Sequence, residues 1–128
     1  MRLLLDTHAL LWWWTDDPQL SQVSRACIAD GANEVLVSAA SAWEIATKHR
    51  LGKLGLADSI LQRYPALLAA DGFIHLSISA EHALVAGSYP QPHRDPFDRM
   101  LAAQAEVERL TLVSCDPALN QFGVELLW

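Results

Sequence analysis

Four acidic residues stand far apart in the chain, each beside an apolar run or near the start of a helix-forming segment: Asp6, Glu44, Asp98 and Asp116. If the fold brings them together, they repel one another unless cations neutralise them. Oxygen ligands alone favour Mg²⁺ or Mn²⁺ over zinc or copper. A carboxylate-held Mg²⁺ can lower the pKa of a bound water and orient it in line with a phosphodiester. The four acids therefore suit hydrolysis of a nucleic acid backbone.

Each acid also has a purely structural interpretation. Asp6 can cap the helix that follows it, and Glu44 can complete a capping box with Ser41. The third acid can play the same part behind Asp95, and the fourth, followed by proline, can form an ordinary turn. Only their joint placement at one edge of a sheet favours the metal site.

Short apolar runs alternate with longer amphipathic segments along the chain, a pattern that predicts an α/β fold. We predict strands over 2–5, 35–37, 73–78, 110–113 and 124–127. We predict helices over 7–14, 21–30, 41–50, 58–70 with a break at Pro65, 79–87 and 96–108, and a small helical turn after Pro117. Strands joined by helices run parallel, so their carboxyl ends share one edge, where open α/β sheets bind ligands.

Three helix ends carry recognisable signals. Residues 41–44 match a capping box, Gly52 follows a helical segment as a stop, and Pro96 opens a helix after Asp95. These signals put Glu44 and Asp98 in the first turns of their helices. Their backbones then begin at the same sheet edge as the other two acids.

The composition fits one domain over residues 1–128, with 52% hydrophobic residues to fill a single core. No apolar stretch suits a secretory signal or a bilayer span, so we expect a soluble, intracellular, cytoplasmic protein without a membrane partner. Cys27 and Cys115 show neither a disulfide framework nor a zinc spacing, and we expect both thiols to be reduced and buried. The net charge of −6 argues against binding nucleic acid by backbone neutralisation alone. It does not exclude a nuclease, because divalent ions reverse the sign of an acidic site.

With these residues in place, the chain resembles the PIN-domain ribonucleases and, more narrowly, the VapC-type toxins of bacterial toxin–antitoxin pairs. The resemblance spans nearly the whole chain. Its most specific segments are residues 3–8, 37–45 with Lys48 and 51–54 behind them, 93–105, and 112–116. Any one segment could occur by chance, but four in this order and at these separations make a specific match.

The resemblance implies a three-layer α/β/α fold around a central parallel sheet, and metal-dependent cleavage of RNA. It implies that the catalytic, metal-binding acids are Asp6, Glu44, Asp98 and Asp116, with Mg²⁺ as the cofactor and Mn²⁺ as its substitute. Glu44 would hold a second ion or position the attacking water. Related sequences read Asp-x-x-Ile-Ala-Ala, which residues 98–103 match, so the resemblance favours Asp98 as the third acid and leaves Asp95 a capping or outer role.

Two residues with hydroxyl groups take supporting roles by the same resemblance. Thr7 would hydrogen-bond the phosphate or the metal's surroundings, and Ser114 keeps a hydroxyl able to bond a ligand or water. Lys48, Arg50 and Arg99 are candidate RNA contacts. For Lys48 and Arg50 a second interpretation stays open, because cations also belong in the last turn of a helix.

The tryptophans at positions 12–14 point in different directions on a helix, so we expect at least one at a partner surface. The alternative is two buried rings and one exposed ring. The resemblance implies two protein partners besides RNA. One is a second copy of the chain, and the other is a small antitoxin in a hetero-oligomer.

Two other functions compete with the ribonuclease. An aspartate-based phosphatase also places a nucleophilic Asp after an apolar strand, but its usual second Asp two residues on is replaced by His8 here. A catalytically silent PIN-like interaction module is the other rival, and the retention of all four acids disfavours it.

Overall fold

The structure, a computed structural model, describes residues 1–55 and 57–128. Its strands are β1 (Arg2–Leu5), β2 (Glu34–Ser38), β3 (Ile74–Leu76), β4 (Thr111–Val113) and β5 (Leu126–Leu127). Its α-helices are α1 (Thr7–Trp14), α2 (Gln22–Ala29), α3 (Ala39–Arg50), α4 (Ala57–Ala70), α5 (Ala80–Ser88) and α6 (Pro96–Glu108). A 3₁₀ helix (Pro117–Phe122) stands between β4 and β5, where a small helical turn is predicted.

The strands form one parallel sheet in the order β3-β2-β1-β4-β5. The central strand is β1, whose Leu4 lies opposite Leu36 of β2 and Leu112 of β4. The chain winds outward on one side through β2 and β3, then crosses to the other side of β1 to form β4. Such a reversal opens a crevice at the carboxyl ends of the two strands that flank it. This crevice lies between β1 and β4.

Helices cover both faces of the sheet, as the three-layer prediction requires. Side chains alternate between the faces along β1, so Leu3 and Leu5 join one core and Leu4 joins the other. The first core packs under α1, α2, α3 and α4. The second packs under α6 and the 3₁₀ helix, and α5 packs on α6. The predicted fold is therefore confirmed.

Two helix predictions are wrong in detail. The capping box is not formed, because α3 begins at Ala39, with the Ser38 side chain accepting the Ala40 N–H at 3.0 Å. Glu44 therefore lies in the second turn of α3 rather than the first. In addition, α4 continues through Pro65 without a break. The ring of Pro65 is exposed, so water can reach the backbone carbonyl that the missing N–H leaves unpaired.

The edge strands are shorter than predicted. The pattern predicts β3 over 73–78 as a buried strand, but its residues are exposed or half-buried because β3 borders the sheet. At the other edge only Leu126 and Leu127 pair with β4. A run of apolar residues thus overstates the length of a strand that has a neighbour on one side only.

The three consecutive tryptophans are all half-buried, so the alternative of two buried rings and one exposed ring is wrong, while a partner surface there stays a prediction. Trp12 meets Trp128 at 5.8 Å between ring centroids, Trp13 meets Phe73 at 6.2 Å, and Trp14 meets an aromatic ring of α4 at 5.5 Å. The helix turns the rings in different directions, and the C-terminus, the residue just before β3, and α4 each supply a ring that contacts one of them. All three rings pack against the first core.

The two cysteines are unpaired, with Cys27 half-buried and Cys115 exposed. The prediction of buried thiols is therefore wrong, and Cys115 is exposed because it follows β4 at the open edge of the sheet. Among the described helices, none is long and apolar enough to cross a membrane.

Arg109 offers a test of backbone strain. It ends α6 in the left-handed region, at φ 55° and ψ 56°, which costs about 1 kcal/mol in a residue with a Cβ. We expect Arg109→Gly to raise the free energy of unfolding by about 0.5 kcal/mol, measured by urea denaturation. Arg109→Ala is the control, because it removes the same side chain and keeps the Cβ. An equal gain in both variants would assign the effect to the lost side chain instead.

Candidate active site

Asp6 emerges from the carboxyl end of the central strand and is 7% exposed. Its backbone N–H donates to the Val113 carbonyl at 3.1 Å, which fastens it beside β4. Its Oδ1 accepts the Ala9 N–H at 2.7 Å, so it is the N-cap of α1. Burial raises the pKa of Asp6 and the charge of Glu44 raises it further, while hydrogen bonds from the Ser114 hydroxyl and the Ala9 N–H lower it. The cap does not exclude a role in the site, because the second oxygen remains for other partners.

Glu44 is buried in the second turn of α3 and holds two donors. The Thr7 hydroxyl lies 2.6 Å from Oε1, and the Lys48 ammonium lies 2.6 Å from Oε2. Thr7 Oγ1 also lies 3.1 Å from Ser41 Oγ. A hydroxyl has one proton, so Thr7 donates to the carboxylate and Ser41 donates to Thr7. Ser41, predicted as a cap, is instead the second member of this hydroxyl pair.

Asp98 lies in the first turn of α6, as predicted, and faces His93. His93 Nε2 lies 3.0 Å from Asp98 Oδ2, and Gln121 Nε2 lies 3.4 Å from His93 Nδ1. Because a carboxylate only accepts, the His93 Nε2–H donates to it and Nδ1 accepts from the amide. Burial raises the pKa of Asp98, the bond from His93 lowers it, and the charges of Asp95 and Glu44 raise it again.

Asp95 is the N-cap of α6, which confirms the capping part of its predicted role. Its Oδ1 accepts the N–H groups of Phe97 at 2.9 Å and of Asp98 at 3.3 Å. The bond from the Asp98 N–H also fixes the backbone of Asp98. Asp95 therefore acts on the site through the start of the helix and through its charge.

Asp116 follows β4 at the same edge of the sheet. It is exposed, and its Oδ1 accepts the Ala118 N–H at 2.9 Å, as the N-cap of the 3₁₀ helix. Its own N–H donates to Ser114 Oγ at 3.1 Å, and the Ser114 hydroxyl in turn bonds Asp6. Ser114 thus connects the fourth acid to the first.

The structure brings three of the predicted acids into electrostatic contact. Glu44 raises the pKa of both Asp6 and Asp98, so its charge acts on each of them. Within residues 1–55 and 57–128, no three His, Cys, Asp or Glu side chains are already grouped to hold a metal ion. Each of the three carboxylates accepts a hydrogen bond from a donor of the chain itself.

The cations predicted to contact RNA have different environments. Lys48 forms the ion pair with Glu44, and Arg50 is exposed at the end of α3. Arg99 does not face solvent as an RNA contact would. Its guanidinium donates to four backbone carbonyls, those of Ala86, Tyr89, Gln91 and His93, at 2.6–3.0 Å. We therefore correct its role: Arg99 holds the loop that leads into α6.

Sequence reasoning missed the part played by His93. It sits two residues before the N-cap of α6, and its ring packs edge-on against Phe122 at 5.5 Å between centroids. The signal available in the sequence was its position just ahead of the predicted N-cap Asp95 and of Asp98. The anchoring role of Arg99 had no such signal, because its partners are carbonyls of an irregular segment.

A family model described as the PIN domain matches residues 3–125. Ribonuclease VapC16 of Mycobacterium tuberculosis is 41% identical over 59 residues, which are 46% of this chain and 42% of that protein. Ribonuclease VapC22 of the same species is 28% identical over 120 residues, which are 92% of this chain and 89% of that protein. The chain therefore matches less than half the length of VapC16, and most of the length of VapC22.

Solved structures share the fold. A chain of VapBC2 from Rickettsia felis, determined bound to a DNA fragment from their promoter, has a TM-score of 0.72 and 16% identity over 99% of this chain and 98% of that one. A chain of FitAcB from Neisseria gonorrhoeae has a TM-score of 0.67 and 21% identity over 98% and 96% of the two chains. At these identities the likeness establishes the fold alone.

The raised pKa of Asp6 predicts that this residue lowers stability at neutral pH. Because its folded pKa lies above the unfolded value of 3.8, its protonation stabilises the fold at low pH, and that stabilisation is lost as the pH rises. We expect metal-free Asp6→Asn to exceed the wild type by about 1 kcal/mol at pH 7 and to match it near pH 3, in urea denaturation. Asp6→Ala, which also loses the cap to Ala9, should gain less. A wild type as stable as Asp6→Asn at pH 7 would contradict the prediction.

The Lys48–Glu44 pair gives a second test. Lys48→Met leaves a buried carboxylate with Thr7 as its remaining donor, so we expect a loss of about 2 kcal/mol in the free energy of unfolding. Adding Glu44→Gln should restore most of it, because a neutral amide oxygen can still accept from Thr7. Lys53→Met, at an exposed position, is the control and should change stability by less than about 0.5 kcal/mol. Additive losses in the double variant would show that the two side chains are not coupled.

Proposed function

The chain belongs to the PIN-domain family, and we propose that it is a metal-dependent endoribonuclease acting as the toxin of a toxin–antitoxin pair. The observation that carries the proposal is geometric. The Thr7 hydroxyl, next to Asp6, lies 2.6 Å from Glu44 Oε1. The rings of Trp43 and Phe97, which directly precede Glu44 and Asp98, are in contact with centroids 4.8 Å apart. Three carboxylates from distant parts of the chain are therefore neighbours at one sheet edge. Such a cluster opposes folding unless a cation binds there, and it is therefore expected of a functional site.

The chemistry of the donor set fits a hard divalent cation. The side chains of Asp6, Glu44 and Asp98 offer carboxylate oxygens, and Thr7 and Ser114 add hydroxyl oxygens. Oxygen donors of this kind suit Mg²⁺, and Mn²⁺ as its substitute, rather than zinc or copper. We propose that the three carboxylates hold the metal. Asp116 is the fourth acid of the proposed set, and Ser114, which bonds both Asp116 and Asp6, connects it to the others. When bound, the ion supplies charge neutralisation and an activated water.

The chain's own groups prepare the carboxylates for that task. Thr7 and Lys48 hold Glu44 in place, and Lys48 offsets its charge before a cation arrives. His93 orients Asp98 in the same way. The Asp95 cap and the loop held by Arg99 fix the backbone from which Asp98 projects. We propose that these supports keep the acids within reach of one phosphodiester.

The substrate assignment to RNA rests on two relatives named ribonucleases, VapC16 and VapC22. The net charge of −6 leaves little general attraction for a polyanion, so local cations must contribute. Arg50 is the last residue of α3, the helix that carries Glu44, and Lys53 follows three residues later; both are exposed and positively charged. We propose that they contact phosphates on either side of the cleaved bond.

The proposal of an antitoxin partner rests on the structures that share the fold, which are of VapBC and FitAB complexes. We propose a small antitoxin encoded next to this chain, and a homodimer or a hetero-oligomer as the assembled form. The cytoplasm is the proposed location, since RNA and antitoxin meet there. Expression of the chain alone should arrest growth, and co-expression of the neighbouring short reading frame should restore it. No arrest by the wild type would contradict the toxin role.

Metal dependence and the third acid can be tested together on purified protein. We expect RNA cleavage with Mg²⁺ or Mn²⁺, none after EDTA, and recovery when the metal returns, followed on denaturing gels. Asp98→Asn should lower the cleavage rate by about 100-fold or more, because it replaces a metal-holding carboxylate. Asp95→Asn should keep most of the activity, since Asn also caps a helix.

The matched control is Glu125→Gln, an exposed acid at the opposite edge of the sheet, which should cleave like the wild type. If Asp95→Asn lost activity and Asp98→Asn kept it, the third acid would be Asp95. If the wild type cleaved no RNA with either metal, and Asp6→Asn behaved like it in cells, the chain would be a catalytically silent interaction module.

A further inference from the structure

One large aromatic side chain is exposed beside the acidic site. Trp43 in α3 is 58% exposed, whereas the other Trp, Tyr and Phe rings of residues 1–55 and 57–128 are buried or half-buried. A single exposed apolar residue needs no explanation by itself. The position of Trp43 does, because it directly precedes Glu44 in the helix that carries that acid.

The indole of Trp43 is held in place by a second ring. Phe97 in α6 meets it edge to face, with the ring centroids 4.8 Å apart and the planes at 80°. Phe97 is half-buried, so it is the supporting ring and Trp43 the exposed one. Because a contact of this kind fixes the indole while leaving much of it exposed, a ligand that stacks there loses little side-chain entropy on binding.

The aromatic pair joins the two helices that supply carboxylates. Trp43 is next to Glu44 and Phe97 is next to Asp98, so each ring is one residue from an acid of the site. Successive helical residues are turned by about 100°, which places each ring beside its acid rather than among the carboxylates. A group stacked on Trp43 would therefore lie adjacent to the reacting phosphodiester.

A positive charge lies on the same face of α3. Arg50 follows Trp43 by seven residues, which is about two helical turns and returns to nearly the same direction. It is exposed, unlike Lys48, which is paired with Glu44. An exposed aromatic ring followed by a cation is the combination that binds a base and a phosphate of a single strand.

Resting on the proposed ribonuclease function, we infer that Trp43, braced by Phe97, is a stacking platform for an unpaired nucleobase next to the cleaved bond. Bases inside a duplex are already stacked on one another and cannot reach an exposed indole, whereas splayed bases of single strands stack on aromatic side chains. Arg50 binds a phosphate of the same strand.

The experiment compares Trp43→Leu, which keeps apolar volume without a π face, with Trp43→Phe, which keeps the π face. RNA affinity is measured by fluorescence anisotropy in an Asp6→Asn background, which leaves the RNA uncut, and KM and kcat are measured in the parent protein. Trp43→Leu should raise Kd and KM about tenfold and change kcat little, while Trp43→Phe should stay within about threefold of the wild type. Leu84→Ala, at a 71% exposed position on α5, is the matched surface control.

A scan of abasic nucleotides through the RNA distinguishes stacking from an indirect effect. In the Asp6→Asn background, one abasic position should weaken RNA binding about tenfold when Trp43 is present. The same abasic position should have no effect on the Trp43→Leu variant, because the indole on which the base stacks is already absent. Thermal melts of the variants check the fold, which an exposed side chain should not disturb.

Other outcomes overturn the inference. If the wild type cleaves RNA and Trp43→Leu has the same Kd and KM, Trp43 is not a platform. If Trp43→Leu lowers kcat alone and no abasic position matters, it positions Glu44. If RNA binding is unchanged and the variant only loses self-association in sedimentation, the face is a protein interface. If the wild type neither binds nor cleaves RNA, the proposed function fails as well.

Discussion

The burial of one carboxylate at the end of the central strand determines how the rest of the site is built. Asp6 follows β1, which has a strand on each side, so the group leaves the sheet where it is most enclosed. Desolvation raises its pKa, and the Ala9 and Ser114 donors oppose that cost. Because Ser114 belongs to the segment after β4, the stabilising bond crosses the crevice between the two strands. The hydrogen bond from Ser114 therefore both links the segments that follow β1 and β4 and positions Asp6 in the site.

Glu44 and Asp98 are also stabilised by hydrogen-bond donors of the chain, but by different ones. Glu44 accepts from Thr7 and Lys48, and Asp98 accepts from His93. Each donor comes from the chain itself, so each of these carboxylates has a hydrogen-bond partner.

The sequence was sufficient to predict the order of the elements and the edge at which the acids emerge, because both follow from hydrophobic period and the parallel rule. It was not sufficient for contacts between elements. By sequence alone, Ser38 and Ser41 are equally good N-cap residues for α3. In the structure Ser38 is the cap, and the Ser41 hydroxyl instead bonds Thr7 of α1. Arg99 had the same ambiguity, since a guanidinium that binds carbonyls and one that binds phosphates look alike in sequence. The hydrogen-bond partners of Glu44 and Asp98 are also contacts between distant residues or elements, so the spacing of residues in the sequence could not predict them.

The first turn of α6 shows why some of the site is nevertheless visible in the sequence. Within residues 95–99 stand an N-cap, the ring that braces Trp43, a carboxylate and the loop anchor. Consecutive helical residues point about 100° apart, so one turn can serve all four directions at once. Because these roles fall on residues of one helical turn, they form a contiguous motif in the sequence. The environment of Glu44 draws on α1 and α3 together, and it becomes visible only when the two helices meet.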